Sequence, residues 1–271
     1  MQIHPHAIVH PKAQLADDVQ VGPFCVVGEN VTIKKGTRLL SHVTVEGWTE
    51  IGERCELHPF VSIGGPPQHL GYKGEPTKII IGNDNIFREY VTVNRATVQG
   101  GGVTSIGDKN FLMAYVHIAH DCRLGSHLIM ANAASLAGHI TVGDHAIIGG
   151  LSGIHQYVRL GAYSMVGGCC ALGQDLPPFM RAAGGYRARM YGLNSIGLRR
   201  HGFSTERVSV LKRAYDILFR SGHRISEAAK LAKAEFGDQP DVMAVVAFLE
   251  GTKRGICGSV GKDQENEEEG L

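Results

Sequence analysis

Between His117 and Gln156 the chain sets its reactive residues at a regular interval: His120, Gly138 and Gln156 fall 18 residues apart, and Asp121, His139 and Tyr157 repeat that step beside them. His117 and His155 flank the group. An imidazole with an ordinary pKa near ~6.5 beside a carboxylate suits general-base work close to neutrality, the carboxylate fixing the tautomer and stabilising the imidazolium as it forms. A glycine one interval further on leaves its N–H unobstructed, free to meet a developing oxyanion. Two plainer readings fit the same residues. A histidine-rich surface displays imidazoles without using them; a metal site needs several converging ligands, and outside the N-terminal His4, His6 and His10 only His117 and His120 form a close pair. No metal is expected.

The elements that must hold these residues follow from a period of six. Stepping by six from Ile3 meets an aliphatic residue every time as far as Ile63; a second register runs through Ile81, Phe87 and Val93, and a third from Ile106 to Leu172 meets no polar residue. A helix of 3.6 residues per turn would scatter such anchors, and an alternating strand needs a period of two. Short strands joined by tight corners fit, three hexads closing one triangular coil of 18 residues. The fold class is therefore mainly β, a parallel β-helix in which residues one coil apart stack at ~4.8 Å. Glycine often follows the anchor (Gly22, Gly52, Gly107, Gly143, Gly161), which predicts corners of unusual φ and ψ there. His120, two places after Ile118, is predicted to point outward into solvent. Cys25, Cys55, Cys122 and Cys170 occupy the small inward position four after an anchor and read as core filling.

The repeat predicts a prism over residues 1–176, broken by loops at 64–80 and 94–105, where binding residues commonly sit. A small C-terminal α-helical domain is expected over 177–257, with Ser204 capping a helix through Phe219, Ser226 capping another through Phe236, and Pro240 opening a third that ends near Gly251. Residues 258–271 are too polar to pack and read as disordered. Six cysteines without a CxxC pair indicate reduced thiols and a cytoplasmic protein. No apolar run approaches 20 residues, so no integral membrane segment is expected, and a formal charge of +1 gives no reason to expect a nucleic-acid partner. Local charge is less even: Arg187, Arg189, Arg199, Arg200, Arg207, Lys212, Arg213 and Arg220 face only Glu206 and Asp216.

At HIAHDC (His117 to Cys122) the chain resembles the UDP-N-acetylglucosamine O-acyltransferase family, and GEPT (Gly74 to Thr77), ATVQGGG (Ala96 to Gly102), LAGH (Leu136 to His139), IHQ (Ile154 to Gln156), MVGGC (Met165 to Cys169), QDLPP and GLRRHGFS (Gly197 to Ser204) extend the likeness over nearly the whole chain. The resemblance implies a left-handed β-helix and a homotrimer with sites between subunits. It implies transfer of a 3-hydroxyacyl chain from acyl carrier protein to the glucosamine 3-position of UDP-N-acetylglucosamine, opening lipid A biosynthesis. No cofactor is implied, since the phosphopantetheine arrives on the carrier. His120 would be the base, Asp121 its support and the Gly138 amide the oxyanion donor. Gln68, His69, His117, His139, His155 and Gln156 would line the sugar and acyl groove, Gly168 would gauge acyl length, and Asn194, Arg199 and Arg200 would lie near the nucleotide phosphates and pantetheine arm. The basic C-terminal segment would dock the acidic carrier, with Arg213 and Arg220 among its contacts.

The first loop departs from the family's frequent QDLKY, having Gln68, His69, Leu70, Gly71 and Tyr72; Asn94 replaces a frequent histidine and His201 a frequent second arginine. The acceptor position therefore stays open between a hydroxyl and an amine. Other readings of the same repeat are an acetyltransferase using acetyl-coenzyme A, a later N-acyltransferase of lipid A assembly, and a non-catalytic scaffold.

Overall fold

The computed structural model describes residues 1–260. Its prism is made of short strands, most of two residues, each pairing in parallel with the strand one coil later, as in Gln2↔Gln20, Phe111↔Ile129 and Ile147↔Met165. The chain visits three sheets in turn, of eleven, nine and eight strands, which form the first, second and third faces. Anchors such as Ile63, Leu112, Ile118 and Leu136 are fully buried, so each coil adds three aliphatic side chains to one continuous core. Cys25, Cys55, Cys122 and Cys170 lie in that core, and burial pushes the Cys122 thiol up to about 12. Cys257 is buried as well and Cys169 is exposed.

The glycines after the anchors have a different cause from the one expected. None of Gly22, Gly52, Gly107, Gly143 and Gly161 has a positive φ. They are needed for space, because a Cβ on Gly22 would overlap the Leu40 carbonyl and one on Gly161 the Pro178 backbone. The left-handed conformation falls two residues later, on side-chain-bearing residues such as Phe24 (φ 60°), His145 (φ 60°) and Tyr163 (φ 58°), and at the equivalent corners on Asp121 (φ 63°), His139 (φ 62°) and Tyr157 (φ 66°). These side chains then stack from coil to coil. On the edge between the first and second faces, His6, Phe24, His42, Phe60, Tyr90 and Tyr115 form a ladder with ring centroids 4.8 to 5.6 Å apart.

Both predicted loops interrupt the register without breaking the prism. Pairs that span the first, such as Glu56↔Ile86, lie 30 residues apart rather than 18, so it adds twelve residues; pairs that span the second, such as Thr92↔His117, lie 25 apart, so it adds seven. The strands Ser62–Gly65, Lys78–Ile81, Thr92–Asn94 and Val103–Ile106 reach into the spans expected to loop out, leaving residues 66–77 and 95–102 outside the ladder.

Beyond residue 176 the first sheet continues through Met180–Ala183, which pairs antiparallel with Arg189–Leu193. Four helices follow: α1 (Ser195–Arg200), α2 (Thr205–Arg220), α3 (Ile225–Phe236) and α4 (Pro240–Glu250). Ser204 caps α2 by accepting the Arg207 N–H, but Ser226 lies inside α3, whose N-cap position is Arg224 without a side-chain bond. Of the tail, Ser259 bridges to Met190 and donates to the Phe219 carbonyl, so the chain stays packed to Val260; residues 261–271 lie outside the described residues. Part of the basic excess is neutralised by acids the linear reading did not bring near: Arg207 pairs with Asp241 and Arg213 with Glu235, while Arg220 pairs with Asp216 and keeps only 14% of its side chain exposed.

Because the space at these glycines is set by backbone one coil away, Gly22→Ala is expected to destabilise the protein by about 1–3 kcal/mol. Gly173→Ala, whose Cβ meets nothing within 4 Å, should stay within about 0.5 kcal/mol of the parent. Urea midpoints at unchanged m-value measure both.

Candidate active site

His120 and Asp121 occupy the edge between the second and third faces, immediately after the strand His117–Ile118. His120 points out of the prism yet is only 7% exposed, against the expectation of an open imidazole. The reason is the first loop, whose His69 ring packs edge-on against it with centroids 5.4 Å apart. On its other side the His139 ring sits edge-on at 5.1 Å and itself stacks on Tyr157 at 4.4 Å.

The Asp121 carboxylate is fully buried and well supplied with donors. Oδ1 accepts the Thr97 N–H at 2.9 Å, and Oδ2 accepts the Thr97 hydroxyl at 2.7 Å and contacts His120 Nδ1 at 2.7 Å. The Asp121 N–H donates to Thr104 Oγ1 at 2.8 Å, and a side chain on Gly100 would overlap the carboxylate. A carboxylate so held accepts from His120 Nδ1–H, which leaves Nε2 as the unprotonated nitrogen. Gly138 lies one coil along, where a Cβ would stand 2.5 Å from His120 Cε1; its own N–H makes no hydrogen bond among the described residues.

His120, Asp121 and His139 offer three ligand atoms within 4.8 Å of one another, the one such group among the described residues. A cation there would compete with the Thr97 donors and His120 for both carboxylate oxygens, so the geometry fits a proton-handling pair better than a metal centre.

From His117 a groove of about 940 Å³ runs along the second face over Ser135, Gly153 and Ala171 to Tyr186, Arg187 and Arg189. Its floor is small and apolar, and His155 stands on its rim. Three strand steps make this floor about 14 Å long before the hairpin continues it.

The whole chain has close relatives. The acyl-[acyl-carrier-protein]–UDP-N-acetylglucosamine O-acyltransferase of Thermodesulfovibrio yellowstonii is 57% identical over 256 residues, covering 94% of this chain and 99% of that protein. The chain belongs to the UDP-N-acetylglucosamine O-acyltransferase family. A crystal structure of a UDP-N-acetylglucosamine acyltransferase superposes with a TM-score of 0.93 at 41% identity, covering 96% of this chain and all of the other. The enzyme of Francisella novicida gives 0.93 at 35% identity, covering 97% and 96%. The family model for the second domain of UDP-N-acetylglucosamine O-acyltransferase matches residues 175–257.

In this member of the acyltransferase family, one chain does not gather every residue singled out from sequence. His69, His117, His120, Asp121, Gly138 and His139 converge on one edge, with Gln68 beside His69 in the loop and His155 and Gln156 exposed one coil beyond His139. Asn194 lies at another edge, 5% exposed, where Oδ1 caps α1 through the Gly197 N–H and Nδ2 donates to the Tyr163 carbonyl; both its polar ends are committed locally. Arg199 and Arg200 are exposed in the last turn of α1, beside His201, which packs on Tyr163. Gly168 is exposed on the third edge, outside the groove.

The sequence pattern does not mark Thr97, Gly100 and Thr104 as supports of Asp121, nor Thr92 as the partner of His117, whose Nδ1 its hydroxyl meets at 2.7 Å. The 18-residue interval cannot reach Thr97 and Gly100 in the inserted loop, whose trace in the sequence is ATVQGGG, and the seven added residues shift Thr92 to 25 positions from His117.

Burial, and then the neighbouring His120, hold the His117 imidazole below its ordinary value; burial does the same to His139 although the Asp121 carboxylate pulls the other way. The unfolded chain, titrating near ~6.5, takes up these protons before the folded chain does. Their contribution is therefore complete above that pH and declines as the pH falls below it. His117→Gln should flatten this acid decline, read from urea midpoints between about pH 7 and pH 5; an unchanged slope would place the titration elsewhere.

Proposed function

We propose that the chain transfers a 3-hydroxyacyl group from acyl carrier protein to the glucosamine 3-position of UDP-N-acetylglucosamine, the first step of lipid A biosynthesis, with His120 as general base. The observation that carries this reading is the contact of His120 Nδ1 with a carboxylate pinned by Thr97, which directs the Nε2 lone pair outward. His120 Nε2 takes the proton of the sugar hydroxyl as its oxygen attacks the thioester carbonyl. Asp121 stabilises the imidazolium, and the unbonded Gly138 N–H meets the developing oxyanion. Collapse of the tetrahedral intermediate breaks the carbon–sulfur bond, and His120 returns its proton to the departing phosphopantetheine thiolate. No cofactor enters this scheme. The acyl chain lies in the groove that begins at His117.

An amine acceptor at the same position is the second reading. It is favoured by a loop tip, Gln68 to Gly71, that carries neither a carboxylate nor an ammonium group. Parallel assays with UDP-N-acetylglucosamine and its 3-amino analogue decide between them.

We also propose a cytoplasmic homotrimer. Its support is the division of residues among three edges: α1, with Arg199 and Arg200, packs beside Tyr163 on a different edge from His120, and the exposed Phe24, Phe60, Tyr90 and Tyr115 of the ring ladder give an apolar stripe for copies to bury. None of the helices among the described residues is long and apolar enough to cross a membrane.

With purified protein, 3-hydroxyacyl carrier protein and the nucleotide sugar, His120→Ala is expected to lower kcat by about 10²–10⁴. Sedimentation should show the same assembly, because the ring lies outside the prism core. Wild-type turnover in that variant would sink the mechanism. For carrier docking we put forward Arg199, Arg200 and Lys212, exposed basic side chains that form no ion pair with an acid among the described residues. The KM for carrier should rise with salt as the Debye length shrinks from ~10 Å to ~3 Å between 0.1 and 1 M, and Lys212→Glu should raise it further. A salt-independent carrier KM would remove this docking surface.

A further inference from the structure

One segment, residues 94–97, does two jobs at the edge of the site. Thr97 holds the Asp121 carboxylate; two residues earlier, Arg95 is only 7% exposed and pairs with no carboxylate among the described residues, with its Nε lacking any hydrogen-bond partner. A buried cation without a counter-charge is costly and persists where its other contacts fix something useful. Those contacts are specific. The guanidinium carbon lies 5.1 Å from the Trp48 ring centroid and 5.8 Å from that of Tyr72, and Nη2 donates to the Tyr72 hydroxyl at 2.9 Å. Tyr72 in turn donates to the Glu75 carbonyl at 2.8 Å. The backbone adds the Arg95 N–H to the Gly65 carbonyl at 3.0 Å, and the Asn94 side-chain amide donates to the Pro66 carbonyl at 2.9 Å. Gly47 makes room, since a Cβ there would stand 2.6 Å from Arg95 Cδ.

Every contact on the far side of this guanidinium belongs to the first loop. Within it the Tyr72 N–H bonds the His69 carbonyl at 3.0 Å and the Gly71 N–H bonds His69 Nδ1 at 3.1 Å, and the His69 ring is the one that covers His120. We infer that Arg95 is a positioning residue: sandwiched between Trp48 of the prism and Tyr72 of the loop, it clamps residues 66–77 so that Gln68 and His69 stand over His120, and thereby sets affinity for the nucleotide sugar. A guanidinium is needed because one planar group both stacks on rings and donates sideways to a hydroxyl, which an ammonium does not do. The inference rests on the proposed acyl transfer for its kinetic consequence, while the clamp itself has a readout that needs no activity.

The test compares Arg95→Met, Arg95→Lys and Tyr72→Phe by steady-state kinetics and by hydrogen exchange of the full chain. Arg95→Met should raise the KM for UDP-N-acetylglucosamine about tenfold, the factor corresponding to loss of roughly one net hydrogen bond, with kcat changed less and the KM for carrier unchanged. The Gly71 and Tyr72 amides should exchange faster while the strand amides at His117 and Ser135 keep their protection. Arg95→Lys should fail to restore the KM, and Tyr72→Phe, which keeps the ring, should shift it in the same direction by less. Should Arg95→Met not fold, Tyr72→Phe carries the test. An unchanged nucleotide-sugar KM, or equal loss of protection in loop and strands, overturns the assignment. A wild-type protein without transfer activity would instead defeat the proposed function, leaving the exchange data to decide the clamp.

Discussion

Everything in this molecule depends on parallel strands stacking one coil at a time, with each residue placed over its equivalent 18 positions away. Backbone hydrogen bonding fixes that step at ~4.8 Å, and aliphatic anchors fill the interior at the same spacing. The edges inherit the step. Side chains in the left-handed corner position are thrown outward one above another, which is why rings stack into ladders and why Asp121, His139 and Tyr157 lie on one line. A reactive group on such an edge therefore comes with known neighbours, one coil before and one coil after.

A bare edge is nevertheless a poor place for a general base, because water surrounds it and nothing orders its carboxylate. The two insertions supply what the repeat cannot. The seven added residues of the second loop bring Thr97 and Gly100 against Asp121, satisfying the oxygens of a carboxylate that is removed from water. The twelve added residues of the first loop carry His69 over His120. Arg95 joins the two insertions, so the order of the covering loop and the fixing of the acid beneath it share one short stretch of backbone. Around this pair, burial keeps His117 and His139 neutral over more of the pH range than free imidazoles, limiting the positive charge gathered beside His120.

The three-edged form also separates functions in space. The His120–Asp121 pair sits at one edge, the α1 arginines beside a second and Gly168 on the third, and side chains on different edges of one prism point away from each other. A complete site assembled from such parts favours copies packed edge to edge, which links the proposed oligomer to catalysis as well as to the burial of exposed rings.

The period of six by itself determined the prism, its 18-residue coil, the inward cysteines and the alignment of His120 with Gly138, because each follows from one local rule repeated along the chain. The contact of His120 with Asp121 in HIAHDC is equally local, its residues being neighbours in sequence. What the tertiary structure decided lies where that rule stops. The glycines proved to answer close approach from the next coil and not a positive φ, a distinction that anchor spacing does not carry. The covering of His120, the Thr97 and Arg95 contacts, the bond from Asn194 Nδ2 to the Tyr163 carbonyl and the pairing of Arg207 and Arg213 with acids on later helices all join segments whose separation has no fixed interval. Periodicity places a residue along the axis and on an edge; only the folded loops and helices fix what covers it, because their path is set by contacts that do not repeat.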